Sequence, residues 1–218
     1  MAVTQNNCDM VSLLLKQNAN GLLRSKNDQT ALNLARGIKN QIIYQLLVNK
    51  GADETIRDNA TGWTPLIKAI NKGDTETIWF LIKSGANINA YTQDNYTVLM
   101  SAVFSGDPTL IDYLLKQNVA FNVRANNGWT ALFYATELLQ PDIAKTLLEQ
   151  GADPNITGLD GFSPLMSAVL NGSYPLVEIL LESGADPNLK DINNESAFSI
   201  AEDKNEEEIL GLLEKAKS

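Results

Sequence analysis

The sequence predicts an all-α repeat fold, in which helix–turn–helix units stack into a solenoid and are joined by β-hairpin-like loops. Three observations predict it. A phrase opening on Thr or Ser and closing on Leu or Phe recurs at Thr30-Ala31-Leu32, Thr64-Pro65-Leu66, Thr97-Val98-Leu99, Thr130-Ala131-Leu132, Ser163-Pro164-Leu165 and Ser196-Ala197-Phe198, with spacings of 34, 33, 33, 33 and 33 residues. A second phrase follows each of the first five at an offset of 21 residues: Gly51-Ala52-Asp53, Gly85-Ala86-Asn87, Asn118-Val119-Ala120, Gly151-Ala152-Asp153 and Gly184-Ala185-Asp186. Two residues before each Thr or Ser stand Asp28, Gly62, Asn95, Gly128, Gly161 and Asn194, all of the types that best tolerate positive φ. Two phrases in fixed register over successive copies are the mark of a repeat architecture.

Each element of the unit has a local cause. The Thr or Ser hydroxyl can accept from a free backbone N–H and so open the first helix. Pro65 and Pro164 follow in the first helical position, where a missing N–H does no harm. A small residue on the packed face, Ala35, Ala69, Ala102, Ala135, Ala168 or Ala201, lets neighbouring helices approach closely. The second helix carries an apolar cluster, such as Leu110, Ile111, Leu114 and Leu115, or Leu176, Val177, Leu180 and Leu181. Gly51, Gly85, Gly151 and Gly184 suit a left-handed C-terminal stop. The one 34-residue spacing places its extra residue in the 53–62 loop, where an insertion costs little.

A period near 33 with a Thr-Pro-Leu opening and a Gly-Ala-Asp-x-Asn close resembles the ankyrin repeat, over essentially the whole chain. The resemblance implies first helices lining a concave face and second helices on the convex side. It divides the chain into a partial N-terminal repeat over 1–25 with only its second helix, five full repeats over 26–190, and a capping repeat over 191–218, all in one continuous array. Met10, Val11, Leu13, Leu14 and Leu15 match the second helix of the partial repeat. Glu202, Asp203 and Glu206, Glu207 and Glu208 give the last unit a polar outer face, whereas the N-terminal end has no evident cap. The family's usual histidine after Thr-Pro-Leu is absent. Asn33, Ile67, Met100, Phe133, Met166 and Ser199 stand there, so apolar packing replaces a polar link in four copies.

Composition narrows the function classes. Of 218 residues 44% are hydrophobic, enough for a folded chain. Seventeen basic against 26 acidic residues give a net charge of −9, which disfavours nucleic acid and anionic membrane surfaces as partners. Five of those nine charges fall between Asp191 and Ser218. Cys8 is the only cysteine and there is no histidine, so neither a Cys–His nucleophile nor a cysteine-based metal site is expected. No phosphate-cradling glycine loop occurs. The expectation is a non-enzymatic chain without cofactor or metal. No apolar run is long enough to insert into a membrane, and no signal peptide is visible, which favours the cytoplasm and is compatible with export of a processed form.

The resemblance implies a protein partner of unnamed identity, bound by a monomer through the concave face and hairpin tips. The position just before each Thr or Ser holds Gln29, Trp63, Tyr96, Trp129, Phe162 and Glu195, so the four central copies are aromatic. Trp63, Tyr96, Trp129 and Phe162 are the first candidate contacts; the competing reading is that these rings pack on one another and stiffen the array. Near the end of the first helix Phe104, Leu138 and Leu170 are apolar where a solvated face would be polar, and Lys72 adds a charge. Trp79 is expected as an isolated exposed ring on a second helix. A runner-up reading is a regulatory or scaffolding segment that docks within a longer polypeptide.

Overall fold

The structure, a computed structural model, describes residues 1–17, 19, 30–49, 62–117 and 119–216. Asn18, Asn20, Asp28, Gln29, the Gly51-Ala52-Asp53 phrase, the 53–61 stretch and Asn118 lie outside the described residues. The described chain is helical and forms two compact units, Met1–Gln93 and Asp94–Ser218.

The first unit contains α1 (Cys8–Lys16), α2 (Ala31–Gly37), α3 (Gln41–Asn49), α4 (Pro65–Asn71) and α5 (Thr75–Lys83). Helix α1 packs on α3 in the place of a second helix, α2 pairs with α3, and α4 pairs with α5. Tyr44 of α3 is buried and meets Phe80 of α5 edge-on at 5.4 Å. Val11 and Leu15 of α1 are buried, while Met10, Leu13 and Leu14 are exposed.

The second unit contains α6 (Val98–Ser105), α7 (Pro108–Lys116), α8 (Ala131–Glu137), α9 (Pro141–Glu149), α10 (Pro164–Leu170), α11 (Tyr174–Glu182), α12 (Ala197–Lys204) and α13 (Glu207–Lys215). First helices α6, α8, α10 and α12 pack side by side in that order, and second helices α7, α9, α11 and α13 do the same behind them. The small-residue positions explain the close approach, since Ala102, Ala135, Ala168 and Ala201 are completely buried. Leu110, Leu114, Leu147, Leu176, Leu180 and Leu213 seal the layer between first and second helices.

The caps form as the phrases require. Thr30, Thr64, Thr97, Thr130, Ser163 and Ser196 are all N-caps whose side chains accept from the backbone N–H three residues on. At the far end of the pair, Gly85, Gly151 and Gly184 have φ of +92°, +96° and +87°. The following alanine closes each stop: Ala86 N–H donates to Leu81 O, Ala152 to Leu147 O and Ala185 to Leu180 O. This six-to-one bond satisfies a carbonyl that the helix end would leave open. The Gly-Ala phrase is therefore one capping device, with Ala152 and Ala185 buried in it.

The positions that lack histidine need one correction. Ile67, Met100, Phe133 and Met166 are buried as apolar side chains, as expected. In two of these copies the polar function is not wholly lost. Met100 Sδ accepts from Thr97 N–H at 3.4 Å and Met166 Sδ accepts from Ser163 N–H at 3.5 Å. A thioether is a weak acceptor, so these are softened versions of a reciprocal capping box. Ser199 makes the same bond with its hydroxyl at 2.8 Å.

Candidate interaction surface

The hairpins of the second unit are built by one repeated set of bonds. Asn127 Oδ1 accepts from Trp129 N–H, and Asp160 Oδ1 from Phe162 N–H, each at 3.0 Å. Between them Gly128 and Gly161 take φ of +87° and +79°, and Asn95 and Asn194 take +56° and +65° at the same register. Ala125 N–H donates to Trp129 O and Gly158 N–H to Phe162 O, closing each loop. Each hairpin is then tied to the one before it: Asn126 N–H donates to Asp94 O, Leu159 N–H to Asn127 O and Ile192 N–H to Asp160 O. A second tie runs through asparagine side chains. Asp153 N–H donates to Asn122 Oδ1, Asp186 N–H donates to Asn155 Oδ1, and Asn155 Nδ2 donates to Gly184 O. The hairpin row is thus a hydrogen-bonded platform that fixes the direction of the residue before each Thr or Ser.

Those residues are half-buried rings. Trp129 stacks on Phe133 of α8, with centroids 4.4 Å apart and planes 19° from parallel. Tyr134, also on α8, meets Trp129 edge-on at 5.3 Å and Tyr96 edge-on at 5.3 Å. One ring of the helix therefore sits between two rings of the hairpins, and lateral packing accounts for part of their area. The Tyr96 hydroxyl donates to Met100 O at 3.2 Å. Burial raises the Tyr96 phenol far above its ordinary value, with a smaller contribution from Tyr134. Burial also raises Tyr134, partly offset by the bond that Asn127 Nδ2 donates to its oxygen. Phe162 is half-buried at the corresponding place one repeat on. Trp63 occupies it in the first unit, also half-buried, and Lys72 is the exposed C-cap residue of α4. Trp79 is half-buried on α5, not the exposed ring expected. An outward place on an isolated helix becomes partly covered once neighbouring elements pack around it.

The ends of the first helices are more open. Phe104 is 61% exposed at the end of α6, although Val98 to Val103 before it are all buried. Leu170, the last residue of α10, is 44% exposed, and Leu138, the C-cap of α8, is 38% exposed. Phe104 and Leu170 share one register position with Glu137 on α8 and Asp203 on α12, both exposed. The Ser167 hydroxyl donates to Glu137 Oε2 at 2.7 Å, which holds the carboxylate over α10 beside Leu170.

Several exposed apolar residues escaped the sequence reading, Leu139, Leu159 and Ile192 among them. Leu139 follows Leu138, is 51% exposed and has φ of +54°. Branched side chains in this region cost about 1–2 kcal/mol. The signal was available, because the same register holds Gly73, Gly106, Gly172 and Asn205, and only Lys39, with φ of +51°, joins the leucine in departing from that column of turn formers. Leu159 and Ile192, at 73% and 75% exposed, project from the last two hairpins. Charge divides sharply between the units. Met1–Gln93 has seven acidic and ten basic residues, net +3, while Asp94–Ser218 has nineteen and seven, net −12. Among the described residues no His, Cys, Asp or Glu group is placed to hold a metal ion, and no helix is long and apolar enough to cross a membrane.

Comparison with known proteins agrees with this geometry. The family model "Ankyrin repeats (3 copies)" matches residues 1–92 and 99–191. The rat ankyrin repeat and SAM domain-containing protein 6 is 30% identical over 97 residues, which are 44% of this chain and 11% of that protein. The human inhibitor of Bruton tyrosine kinase is 32% identical over 66 residues, 30% of this chain and 5% of that protein. The chain thus spans about a tenth or less of the length of these relatives. The crystal structure of the ankyrin repeat domain of Bcl-3, a member of the IkappaB protein family, superposes with a TM-score of 0.78 at 26% identity, covering 98% of this chain and 96% of that one. Two capping phrases in fixed register, a hairpin row bonded from repeat to repeat, a matching family model and a matching solved fold have one reading: the chain belongs to the ankyrin-repeat family, whose domains generally mediate protein–protein interactions.

Proposed function

We propose that this chain is a non-enzymatic interaction module that seats a protein partner on its first-helix ends and hairpins, within a single array of five full repeats over 26–190 flanked by partial units. In the second unit the contact residues are Phe104, Leu138 and Leu170, with Tyr96, Trp129 and Phe162 at the hairpin base. Trp63 and Lys72 hold the corresponding places in the first unit and are contact residues in their own right. No residue is assigned a catalytic role.

The observation that carries the proposal is Phe104. A phenyl side chain that is 61% exposed, on a helix whose other apolar residues are buried, leaves unspent hydrophobic area at the surface. Leu170 and Leu138 extend that area on the next two first helices, and Leu139 adds a leucine kept in a strained conformation where glycine would be easier. Large exposed apolar groups gathered on one face with polar surroundings are what an anchor-type interface requires.

The test is a selection from displayed natural protein fragments, performed with the wild-type chain. Recovered ligands are then measured against Phe104→Ser/Leu170→Ser and against Lys145→Ser. The expected result is at least a tenfold loss for the double variant and none for Lys145→Ser, with helical circular dichroism unchanged. Ligands that bind the double variant undiminished would place the interface elsewhere and refute the proposal.

A further inference from the structure

The geometry points to the chemistry of the segment that this face accepts: a polyproline-II stretch carrying apolar and basic residues alternately at every third position. This rests on the reading of the face as an interaction surface and goes further in naming what fills it.

Four first helices of the second unit lie side by side, and one register position on them reads Phe104, Glu137, Leu170, Asp203. All four are exposed. The row is therefore apolar, acidic, apolar, acidic, with one step per helix. Packed helices stand about 8–10 Å apart. A polyproline-II segment rises about 9 Å per turn of three residues, so its positions i, i+3, i+6 and i+9 point to one side at that same interval. A β-strand of similar rise fits poorly, because its side chains alternate with a period of two and every third residue turns to the opposite face. An α-helix lying across the row would need about six residues per step and could not keep its side chains in phase with it.

Charge selects the chemistry at the alternate positions. Phe104 and Leu170 offer apolar seats, and a Leu or similar side chain fits there. Glu137 and Asp203 call for Lys or Arg. Ser167 holds one carboxylate oxygen of Glu137 and so orients the group before a partner arrives. Nearby residues reinforce the sign. Glu206 approaches Gly172 beside Leu170, and Glu202 shares the end of α12 with Asp203. Lys204 is the one basic residue of that helix end, and it lies in the unit whose net charge is −12. Such a field favours approach of a cationic segment and weakens with salt. Because the row alternates with a period of two helices, the pattern is the same whichever way the segment runs: apolar, two spacers, basic, two spacers, and so on. The spacers face solvent and accept proline, which pre-orders the segment and lowers the entropy lost on binding.

The experiment uses the full chain and three labelled peptides, read by fluorescence anisotropy at low and physiological salt. The first repeats Leu-Pro-Ser-Arg-Pro-Ser over thirteen residues. The second has the same composition with Leu and Arg moved to unequal spacings of two and four. The third replaces each Arg of the first by Glu. The first peptide is expected to bind at least tenfold tighter than the other two. In Glu137→Lys/Asp203→Lys the preference is expected to invert, so that the Glu peptide binds tighter than the Arg peptide. Leu170→Ser should weaken the first peptide about tenfold, and Lys145→Ser should not change it. Equal binding of the re-spaced peptide would overturn the inference, because charge without register would then suffice. Failure of the preference to invert, or no binding by any peptide, would also overturn it. These failures are distinguishable from failure of the interface itself. If fragments selected by display lose affinity on Phe104→Ser/Leu170→Ser but lack the three-residue alternation, the face stands and this assignment of its ligand falls.

Discussion

Gly128→Ala and Gly184→Ala separate backbone strain from close packing, because the two glycines have the same φ of +87°. An added Cβ at Gly184 meets nothing within 4 Å. Its cost is the left-handed penalty of about 1–2 kcal/mol. The lower entropy of the unfolded alanine variant offsets about 0.4–1 kcal/mol of that. A net loss of about 0.5–1 kcal/mol is expected. At Gly128 the same Cβ would lie 2.7 Å from Leu159 N and 2.8 Å from the Gly158 carbonyl carbon, both backbone atoms of the next hairpin. That peptide cannot retreat freely, since Leu159 N–H donates to Asn127 O and Gly158 N–H to Phe162 O. Overpacking of about 1–3 kcal/mol and a weakened inter-hairpin bond of about 1 kcal/mol add to the strain. Gly128→Ala is therefore expected to exceed Gly184→Ala by about 2–4 kcal/mol. In urea, at a slope of about 1–3 kcal/mol per molar, the two midpoints should differ by about 0.7–4 M. Asparagine provides the control. It tolerates positive φ but carries a Cβ, so Gly184→Asn should be nearly neutral and Gly128→Asn should remain damaging. If all four variants fall within about 0.5 kcal/mol of one another, the hairpin-to-hairpin contact does not confine Gly128, and the platform described above is wrong.

Other perturbations probe other parts of the same design. Asn155→Ala removes the bonds to Asp186 N–H and Gly184 O and should cost about 1–3 kcal/mol in denaturant unfolding; no loss would mean the asparagine tie is incidental. Trp129→Ala should retain native helical dichroism yet lose about 2 kcal/mol, because the ring stacks on buried Phe133, and a change below about 0.5 kcal/mol would show that the stacking adds little. Met166→Leu keeps the volume but deletes the sulfur acceptor for Ser163 N–H, with an expected cost of about 1 kcal/mol that a neutral result in thermal melts would contradict. Tyr96 supplies the pH test. Its folded phenol is raised by burial, so above pH 10 the unfolded chain releases this proton while the folded chain keeps it, and stability falls as pH rises. Urea midpoints at pH 9 and pH 11 should fall less for Tyr96→Phe than for wild type, and equal falls would remove Tyr96 as the cause.

The fold was legible because the repeat writes its rules locally. An N-cap hydroxyl, a proline in the first helical turn and a glycine at a left-handed stop act within a few residues, so each leaves a letter at a fixed place. Gly62, Asn95, Gly128, Gly161 and Asn194 all take positive φ as their types suggest. What escaped was set by neighbours. Met100 and Met166 read as apolar filler, and only the side-chain path shows their sulfurs against the capping N–H groups. Trp79 read as exposed because its helix face was judged in isolation. Leu139 was missed for a different reason: its register column was legible, but a leucine in a column of mostly Gly and Asn signals strain only when the whole column is compared.

The aromatic strip shows why the proposed binding face was harder to read than the fold. At a half-buried position a large ring can serve the array and a partner together, and sequence cannot apportion its area. The structure does apportion it in part. Trp129 gives one face to Phe133 and an edge to Tyr134, and Tyr96 gives an edge to Tyr134 and its hydroxyl to Met100 O. Area already removed from water in the free protein cannot be removed again on binding, so these rings have less hydrophobic energy left to contribute. Phe104 retains 61% of its surface and Leu170 retains 44%, with no ring stacked on Phe104 among the described residues. Alanine at Phe104 or Leu170 should therefore weaken binding more than it weakens the fold, and alanine at Trp129 should do the reverse. In the proposed interface the hairpin rings therefore serve mainly the packing of the array, and the first-helix ends are the anchors.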